Sequence, residues 1–169
     1  DVAIIMIDAK EGVTDQDEKI AGYAHEKGKA MIIAVNKWDL IDHDEMTPAK
    51  YVKEVRKSFK FMGYAPVITI SALTGQRVTG LFEMINKVYA ANNLRVSTSV
   101  LNEVIMEAVA MTPPPTDKGR RLKIFYGTEV KAKPPTFVLF VNDKELAHFS
   151  YLRHLENVFR KYFDLEGTP

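Results

Sequence analysis

Met31-Ile-Ile-Ala-Val35, running straight into Asn36-Lys37-Trp38-Asp39, is the stretch that decides the fold. Five consecutive apolar residues, β-branched at Ile32, Ile33 and Val35, suit a strand covered on both faces, as strands of parallel sheets are. The polar quartet that follows then stands at the carboxyl edge of the sheet, where open α/β folds hold ligands. Upstream, Val2-Ala-Ile-Ile-Met-Ile7 reads as a second buried strand lying inside the sheet. A helix comes after it, with Thr14 as N-cap, Asp15 and Asp17 in the first turn, Ile20 and Ala24 on one face, and Gly28 closing the end. Downstream, Thr47-Pro48 pairs a cap with a proline at the first helical position, opening a helix with Tyr51, Val52, Val55 and Phe59 on its apolar side. Pro66-Val-Ile-Thr-Ile70 is a further strand and Leu81 to Tyr89 a further helix. This alternation predicts an α/β parallel sheet with helical crossovers.

The pattern changes in the polar stretch from Asn92 to Ser99. A new helix, Val100 to Met111, must stop at Pro113-Pro114-Pro115, because proline disfavours helical backbone in the residue before it. Arg121 to Val130 and Thr136 to Val141 alternate in polarity around Lys133-Pro134-Pro135, which predicts a hairpin. Ser150 caps a last helix bearing Leu152, Leu155, Val158, Phe159 and Tyr162. Two domains result: residues 1–94, part of an α/β domain, and residues 95–169, a small α+β domain of order α-β-β-α.

Composition sets limits on chemistry. With 169 residues and 46% hydrophobic content, a packed core is within reach. The 23 basic and 22 acidic residues leave a net charge of +1, so attraction of nucleic acid would need a local patch. Arg120, Arg121, Lys123, Lys131 and Lys133 are the candidates, although alternating charge is also the ordinary outer face of a half-buried strand. Zero cysteines exclude disulfides, thiolate catalysis and cysteine-ligated zinc. No apolar run approaches the roughly 20 residues that span a bilayer, and no signal peptide is visible, so a cytoplasmic protein without a membrane partner is expected. His148 and His154 lie six residues apart and do not share a helical face, and Asp42-His-Asp-Glu45 reads as a solvated loop; no metal site is expected there.

The residue types after the strands favour base recognition. A carboxylate at Asp39 can accept two charge-assisted hydrogen bonds from guanine, from its ring N–H and its exocyclic amine, and adenine offers no such pair. A mismatched base would leave that carboxylate desolvated and unpaired, which is worth discrimination on the order of 10⁴. Asn36 can tie the loop to neighbouring backbone and reach the base, and the Lys37 stem can lie over the purine face. Trp38 has no necessary polar role. Ser71-Ala72-Leu73-Thr74-Gly75 ends the third strand on the same sheet edge. There the Ser71 hydroxyl can orient Asp39, and the small Ala72 lets its backbone N–H approach a purine carbonyl.

Val-Asn-Lys-Trp-Asp-Leu40 and Ile-Ser-Ala-Leu-Thr-Gly75 resemble the base-specificity motifs of translation-factor-type GTPases. Ser97 to Met111, Arg121-Leu-Lys-Ile-Phe-Tyr126, Lys133-Pro-Pro-Thr-Phe-Val-Leu-Phe-Val-Asn142 and Phe149-Ser-Tyr-Leu-Arg-His-Leu-Glu-Asn157 resemble the C-terminal part of the Der (EngA) double-GTPase family. The resemblance implies the later half of a GTPase domain followed by a KH-like domain, with a role in assembly of the large ribosomal subunit in bacteria. It further implies GTP or GDP bound by Asn36, Lys37, Trp38, Asp39, Ser71, Ala72 and Leu73. The implied partners are the large ribosomal subunit or its rRNA and upstream GTPase domains of the same protein. The glycine-rich loop that holds phosphates and Mg²⁺ is not among these residues: Gly22 to Lys29 has the wrong spacing, and Asp8-Ala-Lys-Glu-Gly12 has one residue too many for the family's switch element. Phosphate and Mg²⁺ binding are therefore expected upstream of Asp1, and no GTP hydrolysis is expected of the chain alone. None of the nine glycines forms the Gly-x-x-Gly of nucleic-acid-gripping KH domains. The alternatives are an Era-type GTPase with a KH domain, and a non-catalytic interaction module for RNA or protein.

Overall fold

A computed structural model describes all 169 residues and divides them into two compact units. The first comprises residues 1–92 together with the tail Glu166–Pro169, and the second residues 93–165. No helix is long and apolar enough to cross a membrane.

In the first unit, β1 (Val2–Asp8), β2 (Ala30–Asn36) and β3 (Val67–Thr69) form a parallel sheet in that order. The helices α1 (Asp15–Glu26), α2 (Pro48–Ser58) and α3 (Val78–Asn92) follow the three strands in turn. β2 is central and six of its seven residues are buried, as a strand covered on both faces should be. β1 is the edge of the sheet, and it is less buried than its apolar run suggests, with Ile4 and Met6 38% and 49% exposed on one face.

Local chemistry accounts for the helix ends. Thr14 and Asp17 form a reciprocal capping box at α1, and Thr47 accepts from the Lys50 N–H ahead of Pro48 at the start of α2. On α1 it is Ala21 that is buried, whereas Ile20 is exposed, so the inward face is turned by one residue from the one expected. α3 extends beyond Leu81–Tyr89 at both ends, because Val78 and the buried Ala91 and Asn92 continue the helix.

The tail packs within this unit. The Gly167 carbonyl accepts from the Met31 N–H at 2.7 Å, and its own N–H donates to the Tyr64 carbonyl at 2.8 Å. The Thr168 hydroxyl donates to Asn92 Oδ1 at 3.0 Å, fully buried. The tail thus satisfies β2 backbone just upstream of where β3 begins pairing, and a buried N–H left unsatisfied would carry a desolvation penalty.

The second unit opens with α4 (Thr98–Met111), capped by Ser97, and closes with α5 (Phe149–Tyr162). A small hairpin of β4 (Thr116–Asp117) and β5 (Arg120–Arg121) precedes the main hairpin of β6 (Ile124–Lys131) and β7 (Thr136–Val141). The small hairpin was not expected. It turns at Lys118-Gly119, both with positive φ, as the tightest hairpin turns require. Two expectations for the last helix also change. Its N-cap is His148 and not Ser150, with no side-chain cap bond, and its buried face is Tyr151, Leu155 and Phe159, while Leu152 and Tyr162 stay exposed.

Candidate functional site

The loop after β2 leaves the extended path of the strand at once. Lys37 adopts left-handed backbone, φ 62°, and a single turn of 3₁₀ helix carries Trp38–Leu40. Trp38 is buried, with its ring edge-on to Tyr51 at 5.4 Å and its backbone N–H donated to the Ile70 carbonyl at 3.1 Å. It therefore anchors the loop to the core and to the end of the third strand. Of the residues expected at the site, Asn36, Lys37, Asp39 and Leu73 line the cleft and Trp38, Ser71 and Ala72 do not, while Leu40 stands on the rim.

Side chains join the two loops. The Ser71 hydroxyl, fully buried, donates to Asp39 Oδ1 at 2.5 Å and accepts from the Thr74 N–H at 3.2 Å. The Ala72 N–H is donated to Asn36 Oδ1 at 2.9 Å. The loop is braced at its far end by the Arg77 guanidinium, which donates to the buried Thr69 hydroxyl. Asn36, Lys37, Asp39, Leu40 and Leu73 line a cleft of about 340 Å³, with Leu73 88% exposed at its mouth. That volume is at the small end of ligand pockets, enough for one planar heterocycle.

Asp8 is a neighbour of the Lys37 loop that the sequence did not single out. It ends β1 directly opposite Asn36 in the sheet, and its Oδ1 accepts from the Lys10 and Glu11 N–H groups at 2.8 and 3.3 Å. Its Oδ2 accepts from Lys37 Nζ at 2.5 Å. That ammonium bond, helped by the Lys10 N–H, holds the Asp8 carboxyl below the usual carboxylate range, and the same bond raises Lys37. The signal was available: two parallel strands in register bring their carboxyl ends side by side. It was obscured because Asp8 to Gly12 invited comparison with a switch motif.

The arrangement offers a carboxylate with its orientation fixed by Ser71, an amide at Asn36, and apolar walls from Leu40 and Leu73. Such a cleft can take a flat ring with two adjacent N–H donors on its edge. A larger cavity, about 520 Å³, lies in the second unit between α4 and α5, lined mainly by apolar residues including Val104, Ala108, Met111 and Val158. Volume alone does not make it the site, because its lining has no comparable set of oriented polar groups.

Comparison with known proteins covers the whole chain. Residues 1–91 match the family described as elongation factor Tu GTP binding domain, and residues 95–169 match the KH-domain-like family of EngA bacterial GTPase enzymes, C-terminal. Curated relatives named GTPase Der include those of Lactococcus lactis subsp. cremoris, 57% identical, and Alkaliphilus oremlandii, 54% identical, each over all of this chain. The chain spans 39% and 38% of the lengths of those two relatives. A crystal structure of Aquifex aeolicus Era bound to GDP.AlF4- aligns with 98% of this chain and 61% of that one, at 20% identity and a TM-score of 0.43.

Proposed function

Because the chain belongs to the Der (EngA) GTPase family, with a domain of the elongation factor Tu GTP-binding type at residues 1–91, we propose that its first unit reads guanine in GTP or GDP. The observation that carries this reading is the Ser71–Asp39 hydrogen bond, which couples two loops from successive strands around one carboxylate. Asp39 accepts from the guanine ring N–H and amine, the Ala72 N–H exchanges its bond to Asn36 Oδ1 for the base carbonyl when nucleotide binds, Asn36 keeps the two loops together beside the base, and the Lys37 stem, Leu40 and Leu73 sandwich the ring. Trp38 contributes by anchoring the loop.

The division of labour follows the sequence boundary: residues 1–94 bind nucleotide, and residues 95–169 form the KH-like domain that faces RNA of the large ribosomal subunit during its assembly. The protein acts in the cytoplasm, and its second unit also meets other GTPase domains of the longer protein. Phosphate and Mg²⁺ are gripped by a glycine-rich loop outside these 169 residues, so the chain by itself holds nucleotide weakly and does not hydrolyse it.

The test is a chimera in which this chain replaces the matching part of the Lactococcus lactis relative. Titration with fluorescent GDP and ADP should show strong guanine preference. Equal affinity for the two, or GTP turnover by the isolated chain that survives Asp39→Ala, would overturn the proposal.

A further inference from the structure

The outer face of the β6–β7 hairpin is aromatic, and its orientation is fixed. A Cβ added at Gly127 would lie 2.6 Å from Ile105 Cδ1 and 2.9 Å from Leu139 Cδ2, so β6 sits closer to α4 than any side chain allows. Asn102 brackets the same residue, accepting from its N–H at 2.8 Å and donating to its carbonyl at 2.9 Å. A slip by one residue would break all of this. Phe137 and Leu139 therefore pack inward, and Tyr126 and Phe140, cross-strand partners, face outward. Their rings stack at 4.4 Å and 14° while remaining 47% and 41% exposed, beside the exposed Phe125, Val130 and Val138.

Charge on this hairpin is one-sided. Glu129 is the single acidic residue between Arg120 and Val141, and it is turned inward, 3% exposed, accepting from the Val96 N–H at 2.6 Å. Arg121, Lys123, Lys131 and Lys133 are exposed, and none has an ion-pair partner. Asn142 holds the first two beside the hairpin, accepting from the Lys123 N–H at 2.8 Å and donating to the Arg121 carbonyl at 3.2 Å.

We propose that this face is a stacking platform for single-stranded RNA, with bases continuing the Tyr126–Phe140 stack and the four cations meeting the phosphates. The inference rests on the reading that the second unit faces RNA, and it assigns the surface. A Gly-x-x-Gly grip is not needed for it, since stacking plus a cationic track is itself a sequence-tolerant way to hold a single strand. An apolar protein partner would use the aromatic pair but leave four unpaired cations without a purpose.

The test is fluorescence anisotropy of the whole chain with a short labelled single-stranded RNA, paired with co-sedimentation on isolated large ribosomal subunits. Tyr126→Ala and Phe140→Ala should each weaken RNA binding by about 5- to 100-fold with the salt dependence unchanged, and Tyr126→Phe should retain affinity. Arg121→Glu with Lys123→Glu should instead flatten the salt dependence by about 1.4 in slope. Should an alanine variant fail to fold, Tyr126→Leu keeps apolar area without a ring and is expected to lose affinity likewise. RNA binding unchanged in the ring variants, or no RNA binding by the wild-type chain, overturns the platform. Subunit co-sedimentation that persists in the ring variants also counts against it but leaves the wider reading standing, whereas no co-sedimentation by wild type sinks the wider reading alone.

Discussion

Gly167→Ala should remove a large part of the stability margin of the first unit. Gly167 has φ +81°, so any side chain there incurs left-handed strain of about 1–2 kcal/mol. The added Cβ would also stand 2.4 Å from Val88 Cγ2 and 2.6 Å from Cγ1, and Val88 is fully buried on α3. Overpacking of that kind costs about 1–3 kcal/mol, giving a total of about 2–5 kcal/mol. Typical domain stabilities are about 5–15 kcal/mol, so the loss would be large. Gly12→Ala is the matched control: its φ is +80°, yet nothing lies within 4 Å of the new Cβ, so only the strain of about 1–2 kcal/mol applies. Urea denaturation followed by Trp38 fluorescence reads this unit directly, since Trp38 is the only tryptophan and is buried in its core. If Gly167→Ala proves no more destabilising than Gly12→Ala, the tail does not dock beside β2 as described.

Ser71→Ala should weaken guanine-nucleotide binding in the chimera by about tenfold, because a charge-assisted bond that orients Asp39 is worth about 1.5–3 kcal/mol and part exposure discounts it. Unchanged affinity would mean that Asp39 is held by other means. Asp8→Asn should flatten the acid limb of thermal stability. With its carboxyl held below the ordinary range by Lys37, Asp8 contributes fully above the ordinary carboxylate value and loses that contribution as pH falls through the depressed one. Melts from neutral to acid pH that superimpose for the two proteins would contradict this, and high salt should shrink the difference.

Much of the first unit was legible because its signals are local. β2 is apolar throughout, Thr14 and Thr47 are followed by the residues their caps require, and polar loops follow β2 and the third strand. The Ser71–Asp39 bond was foreseeable because both residues lie just past the carboxyl ends of neighbouring strands in one parallel sheet. What escaped was non-local. Glu166–Pro169 lies far in sequence from Met31, Tyr64 and Asn92, whose groups hold it. The exposure of Ile4 and Met6 depends on what covers that face of β1, and no pattern within the strand records that. On α5, hydrophobicity alone ranked Leu152 with Leu155, whereas the hydroxyl of Tyr151, donating to the Thr112 carbonyl at 2.8 Å, shows which face turns inward. The same limit applied at Trp38, where a residue inside a polar motif proved to serve packing.

Base preference of Asp39→Asn in the chimera tests the central claim most directly. The amide can donate to the added carbonyl of xanthine but loses the carboxylate's charge-assisted pair with guanine. Competition between GDP and XDP should therefore reverse, with the wild type favouring GDP and the variant favouring XDP. A variant that keeps the wild-type preference for GDP would remove Asp39 from base recognition, and with it the reading of this cleft.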